Sequence, residues 1–140
     1  TVRKEAKRIA QDQNASYIIV DGSPGTGCPV IASITGCDQV IIVTEPTVSG
    51  VHDLKRVAQL AKHFSIPFSV IVNKASINTE KTSEIYSWCT DNSIPFLGEV
   101  PYNGAVTKAQ IEGKTIIEYE EDKESRELSS ILQEIAKEIV

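Results

Sequence analysis

Four short apolar runs rich in β-branched residues, Tyr17–Asp21, Gln39–Thr44, Phe68–Asn73 and Phe96–Val100, recur along the chain with helical patterns between them. That order constrains the fold more than anything else in the sequence. Strands that alternate with helices build βαβ units, hence a parallel sheet with helices on both faces. Such strands are covered on both sides, so they read as continuous apolar runs and not as strict alternation. The helical stripes are equally legible. Val2, Ala6, Ile9 and Ala10 recur at helical spacing, with a stop at Asn14. Val51, Leu54, Val57, Ala58 and Ala61 form a second stripe, and Ile85, Trp88 and Cys89 a shorter one behind a cap at Asn78. Ala105, Val106 and Ala109 follow Asn103 and stop at Gly113, and Leu128, Ile131, Leu132, Ile135 and Ile139 mark the last helix. The expected fold is α/β: three layers, a doubly wound and mostly parallel sheet.

The 140 residues suffice for one domain with a single core, and 41% hydrophobic with 24% charged residues is a globular balance. A net charge of −5 leaves no basic stripe to neutralise phosphates, so direct nucleic-acid binding is not expected. No apolar run approaches the roughly 20 residues of a membrane helix, and no export leader is evident, which leaves the sequon Asn14-Ala15-Ser16 without weight. Cys28, Cys37 and Cys89 are odd in number and lack C-x-x-C spacing, which points to a reducing cytoplasm and supplies no metal framework in this chain. The chain opens at Thr1 directly in a helical pattern, as a piece of a longer protein would. The acidic run "EYEEDKESRE" suits the first turn of the final helix. No low-complexity linker or repeat divides the chain, so residues 1–140 are expected to form one domain.

In doubly wound sheets the functional crevice lies beyond the carboxyl ends of the strands. Those ends are Asp21-Gly22-Ser23-Pro24-Gly25, Thr44-Glu45-Pro46, Asn73-Lys74 and Pro101-Tyr102-Asn103. Three readings of that edge stand. In the first, Asp21 holds Mg²⁺ directly or through water, and the following glycines let backbone approach a phosphate and move when it leaves. In the second, Asp21, Thr44 and Lys74 are the aspartate, hydroxyl and lysine of a phospho-receiver domain. That reading lacks an acidic pair, and its first loop is too rich in glycine. In the third, the chain is an interaction module without chemistry, because no G-x-x-x-x-G-K-[ST] phosphate loop occurs. The "EGKT" at 112–115 follows a helix instead of a strand, and Gly113 reads as a helix stop. Cys28 opens a helix, where a thiolate is favoured, but it reads better as a packed small residue. His52 and His63 lie on a polar helix face with no second ligand at metal spacing.

"YIIVDGSPGTG" resembles the D-x-P-P-G segment of the MinD/ParA-type P-loop ATPases, the CobQ/CobB/MinD/ParA nucleotide-binding group. "VTEPTVSGVHDLKRV" looks like the next strand and interface helix of that family, "VIVNKAS" is similar to its adenine-side strand, and "GEVPYNGAVTKAQIEGKTIIEY" to its closing adenine loop and helix. The resemblance runs in order over nearly the whole chain. "GTGCPVIAS" looks most like the MinD-like ATPases with an inserted ferredoxin domain, whose relatives include Mrp-type iron–sulfur carriers and cobyrinic acid a,c-diamide synthases. The resemblance implies Asp21 as the Walker B aspartate of the magnesium shell and Gly25 with its neighbours as switch II. It implies Asn73 hydrogen-bonded to adenine, with Lys74 beside it where many relatives carry arginine, and Pro101 and Tyr102 lining the base pocket. Ser49 and Asp53 match positions near the dimer interface and partner-binding face. Ser23 departs from the usual first proline of the switch.

The larger departure is the front half: the family's first strand, its K-G-G-x-G-K-T loop, switch I and any ferredoxin insert are not in this sequence. The resemblance therefore implies the C-terminal half of a cytoplasmic, dimer-forming ATPase that uses ATP and Mg²⁺. An iron–sulfur cluster would belong to the parent and not to this chain, which alone would be inactive because phosphoryl transfer depends on that loop and its metal. In the family the P-loop strand sits between the strands matching Tyr17–Asp21 and Gln39–Thr44. Without it those two strands would flank an empty slot, to be closed directly, by a swapped element or by dimerisation.

Overall fold

The computed structural model describes every residue except Glu120, so that part of the acidic run lies outside the described residues. The chain separates into two compact units, Thr1–Thr35 and Gly36–Val140.

The first unit holds two helices, α1 (Val2–Asp12) and α2 (Cys28–Ile34). Helix α1 buries no residue and is stitched along its surface, with Arg8 set between Glu5 and Asp12. It ends as its sequence indicates, with Asn14 in the left-handed region at φ 53° and the Ala15 amide returned to the Ala10 carbonyl at 2.8 Å. Helix α2 starts at Gly27 with a proline in its first turn and buries Val30 and Ile34. The Arg3 guanidinium donates to the Ser33 carbonyl at 2.7 Å and to the Ala32 carbonyl at 3.3 Å, satisfying free carbonyls at the end of α2.

Tyr17–Asp21 corrects the sequence reading: it forms no strand. Ile19 is 93% exposed and Tyr17 66% exposed. A strand exists only through hydrogen bonds to a neighbour, and no described strand pairs with this run. The slot expected between it and the Gln39–Thr44 run therefore does not arise as two strands flanking a gap. Cys28 is a second correction. It is exposed, not packed, because no strand–helix junction forms there to cover it.

The second unit carries a parallel three-stranded sheet of order β1-β2-β3, with β1 Val40–Thr44, β2 Phe68–Asn73 and β3 Phe96–Val100. Val40 stands opposite Phe68 and Thr44 opposite Val72, without slippage. The β2–β3 register shifts between Val70 and Ile71, pairing Val70 with Phe96 but Ile71 with Gly98. The period-two pleat sorts the strand residues between faces. Ile42, Val70 and Val72 pack against α3 (Val48–His63) and α4 (Thr79–Asp91) through Val51, Leu54, Ala58, Ile85 and Cys89. Ile71 and Val100 face α6 (Lys123–Ile139) through Leu128 and Ile135, with Ile131, Leu132 and Ile139 alongside. The three layers expected from the sequence are thus present over three strands. A short helix, α5 (Ala105–Ile111), packs Ala105 and Ala109 on Tyr119.

The caps explain where these helices start. Asn78 accepts the Lys81 amide at 2.9 Å, as its sequence position indicates. Asp122 accepts the Ser125 amide at 2.7 Å while the Ser125 hydroxyl closes a capping box, so the carboxyl of Asp122 is held below its ordinary range by that amide first and the hydroxyl second. Gly113 follows α5 at φ 67°, the helix stop read from the sequence, and Lys114 is spent on Glu112 at 2.7 Å.

Candidate functional site

The carboxyl ends of the three strands lie along one edge of the sheet and present Thr44-Glu45-Pro46, Asn73-Lys74 and Pro101-Tyr102-Asn103. Each is positioned by backbone chemistry. At the end of β1 the chain turns from Pro46 into Thr47, whose side chain caps α3 by accepting the Gly50 amide at 2.9 Å. The buried Thr44 hydroxyl donates to the Gly50 carbonyl at 3.0 Å. Gly50 is required by close approach: a Cβ there would lie 2.2 Å from the Glu45 carbonyl oxygen. This turn leaves Ser49 exposed and Asp53 half-buried on the first turns of α3, with Asp53 3.2 Å from His52 Nδ1.

At the end of β2, Asn73 turns its Oδ1 back to accept the Lys74 amide at 2.9 Å, and Lys74 adopts a left-handed backbone at φ 54°. The side-chain amide NH₂ of Asn73 remains as a donor. The Lys74 ammonium reaches across to Glu45 at 2.6 Å, tying the ends of β1 and β2 together. A 3₁₀ turn, Ala75–Ile77, follows, and its Ser76 hydroxyl accepts the Tyr102 amide at 3.0 Å. That bond fixes the exit of β3 to the exit of β2, with Pro101 half-buried and the Tyr102 ring exposed. Thr82 holds the same turn from α4 by donating to the Ala75 carbonyl at 2.9 Å.

Of the residues singled out in the sequence, the structure brings Asn73, Lys74, Pro101 and Tyr102 together at one edge through Ser76, with Ser49 and Asp53 on α3 in the same unit. Asp21 and Gly25 belong to the first unit. Asp21 is exposed and lies on no strand; Gly25 has φ +87° with nothing within 4 Å of where a Cβ would stand, so its loop is free of packing there. Of the receiver-like trio, Thr44 is hydrogen-bonded inward, Lys74 is held by Glu45, and Asp21 ends no strand. Among the described residues no group of three or more histidine, cysteine or acidic side chains converges as a metal site. Likewise, no described helix is long and apolar enough to cross a membrane.

Sequence reading assigned no role to Glu45, Ser76 or Gly50. Glu45 had a signal, a carboxylate between a strand end and a proline. Gly50 had one too, a glycine just inside a helix where alanine would be the better former. Ser76 had none, because its partner lies 26 residues away.

Known proteins can be set beside this geometry. Curated relatives from Methanocaldococcus jannaschii include the uncharacterized proteins MJ0579, 28% identical over 136 residues, and MJ0578, 33% identical over 95 residues. These alignments cover 97% and 68% of this chain but 44% and 33% of the relatives, so the chain spans less than half the length of the proteins it matches. Two solved structures share the fold. The MinD cell division protein of Aquifex aeolicus superposes with a TM-score of 0.77 at 22% identity, over 97% of this chain and 58% of that one. The cell division ATPase MinD of Pyrococcus furiosus gives 0.70 at 18% identity, over 95% and 56%. At those identities the likeness is one of fold. The family described as ParA, NUBPL iron-transfer P-loop NTPase matches residues 7–140. The parallel sheet, its helices on both faces and this match from residue 7 to the last residue have one reading: the chain belongs to the MinD/ParA-type P-loop NTPases.

Proposed function

We propose that residues 1–140 form the C-terminal half of the nucleotide-binding domain of a longer, cytoplasmic, dimer-forming ATPase, and that this half supplies the adenine side of an Mg-ATP site. The observation that carries the reading is the joining of the Asn73 and Tyr102 loops at the strand ends by the bond from the Tyr102 amide to Ser76. Ligands of open parallel sheets bind at that edge. The donor set fits a purine. With Oδ1 engaged by Lys74, Asn73 keeps an NH₂ to offer a ring nitrogen, while Pro101 and the exposed Tyr102 ring offer apolar surface to the base. The Asp21 carboxylate is exposed and of the oxygen type that Mg²⁺ accepts, and Gly25 gives its loop freedom to respond to a phosphate. Bound magnesium would neutralise phosphate charge; Asp21 would hold its shell, and Ser49 and Asp53 would face the partner subunit. The phosphate cradle is not encoded in these residues, so this chain orients the base and does not carry out transfer. The family's printed description leads to iron transfer as the parent's task, with any cluster as cargo held outside this chain.

Calorimetric titration with Mg-ATP and Mg-ADP tests this. The 140-residue chain is expected to show no saturable binding. The longer protein binds and loses affinity by about tenfold in Asn73→Ala, as expected for one buried hydrogen bond to a ligand. Micromolar binding by the 140-residue chain that survives Asn73→Ala would refute the assignment.

A further inference from the structure

The free edge of β3 is a second surface that meets the candidate site at Ser76 and Pro101, and its reading does not depend on nucleotide. β3 pairs with β2 on one side and with no described strand on the other. An open edge presents unpaired amides and carbonyls to any extended chain. Here the edge runs between two grooves. On the α6 side the walls are Leu97, Ile131 and Ile135, with Glu99, Glu134 and Glu138 along the rim. On the α4 side they are Ser76, Thr79, Ser83 and Pro101, and Glu99 lines this groove too. An added strand would place successive side chains alternately in one groove and the other.

Charge decides the occupant. A second copy offering its own β3 would set Glu99, Glu134 and Glu138 against their images, since a two-fold interface is self-complementary. The chain carries a net charge of −5, and Lys137 beside this rim is already paired with Glu134 at 2.6 Å. The register shift at Gly98 also interrupts the regular edge that self-pairing strands need. We infer that the β3 edge docks an extended basic segment of a partner protein, added as a fourth strand. Its side chains toward α6 are apolar and flanked by lysine or arginine, and those toward α4 are small and polar. Main-chain hydrogen bonds supply affinity and the two unlike grooves supply register.

The test uses the full chain and a fluorescein-labelled peptide, KSVSVSKS, read by fluorescence anisotropy at low salt. Two controls accompany it: ESVSVSES, with the charge reversed, and KSVPVSKS, in which one backbone donor is removed. The lysine peptide is expected to bind saturably and the two controls to bind at least about tenfold more weakly. The double variant Glu99→Lys/Glu134→Lys alters exposed side chains, so its circular dichroism should be unchanged while it loses the peptide by a similar factor. Equal binding of ESVSVSES, or binding indifferent to the double variant, overturns the proposal, as does no binding at millimolar peptide. A dimer in sedimentation that Glu99→Lys dissociates would give the edge to a second copy and overturn it too.

Discussion

Gly50→Ala is the substitution for which local and tertiary reasoning disagree most. Gly50 sits in the first turn of α3, and its φ is not positive. By helix propensity alone, alanine there gains about 1 kcal/mol. The structure reverses the sign. The new methyl would stand 2.2 Å from the Glu45 carbonyl oxygen, 3.0 Å from Thr47 Oγ1 and 3.1 Å from Thr44 Oγ1. The nearest of these is backbone and cannot swing aside, so the turn from Glu45 to Thr47 must open by about 1 Å, the gap to ordinary contact. Overpacking of that kind costs roughly 1–3 kcal/mol. Opening the turn also lengthens the bond from the buried Thr44 hydroxyl to the Gly50 carbonyl, and a stranded buried hydroxyl costs about 1–3 kcal/mol more. The Thr47 cap on the Gly50 amide adds about 1 kcal/mol if it is lost. After the propensity gain, the net loss is about 2–6 kcal/mol. Urea unfolding followed by circular dichroism should show a lower midpoint with an unchanged slope. Gly104→Ala is the control: a Cβ there meets nothing within 4 Å, and stability should stay within about 1 kcal/mol. A Gly50→Ala protein as stable as its parent would show that the close approach is not a constraint.

Asn78→Ala removes the acceptor for the Lys81 amide and should cost about 1 kcal/mol in the same assay, with Asn78→Ser recovering most of it. Ser69 is 2% exposed in the middle of β2, and its hydroxyl has no partner among the described residues. Ser69→Ala should therefore raise stability by about 1 kcal/mol; a loss of more than that would mean the hydroxyl is satisfied. Cys89 is fully buried, and burial pushes its thiol up from 9.0 to about 11. The folded state holds the proton more tightly than the unfolded one, so the associated stability is complete below pH 9 and is lost as pH rises toward 11. The loss is on the order of 2–3 kcal/mol and should be missing from Cys89→Ala. A thiol reagent should modify the exposed Cys28 at once and Cys89 only on unfolding, with mass spectrometry locating the label.

The limits of sequence reading follow from how far each signal reaches. Helices were legible because their determinants lie within a turn or two. Asn14, Asn78 and Gly113 act on amides and carbonyls three to five residues away, and each stands where its helix begins or ends. The apolar runs that pair, at Val40, Phe68 and Phe96, were equally clear, and their order alone implied a parallel sheet with helices on both faces. The candidate edge was legible in kind, since the rule that strand ends carry function pointed to Asn73 and Tyr102.

Contacts between distant segments settle the rest. Tyr17–Asp21 has the same apolar, β-branched character as the true strands, yet it stays unpaired, because a strand is defined by a neighbour that local composition does not supply. Cys28 is exposed for the same reason, lacking the junction that would have covered it. The Lys74–Glu45 pair, the Ser76–Tyr102 bond and the approach that makes Gly50 necessary join residues on different elements. Short-range periodicity and capping set the helices and the order of the apolar runs between them. Which runs become strands, and how their ends are tied into one edge, was decided by contacts between segments distant along the chain, whose geometry exists only after the layers have packed.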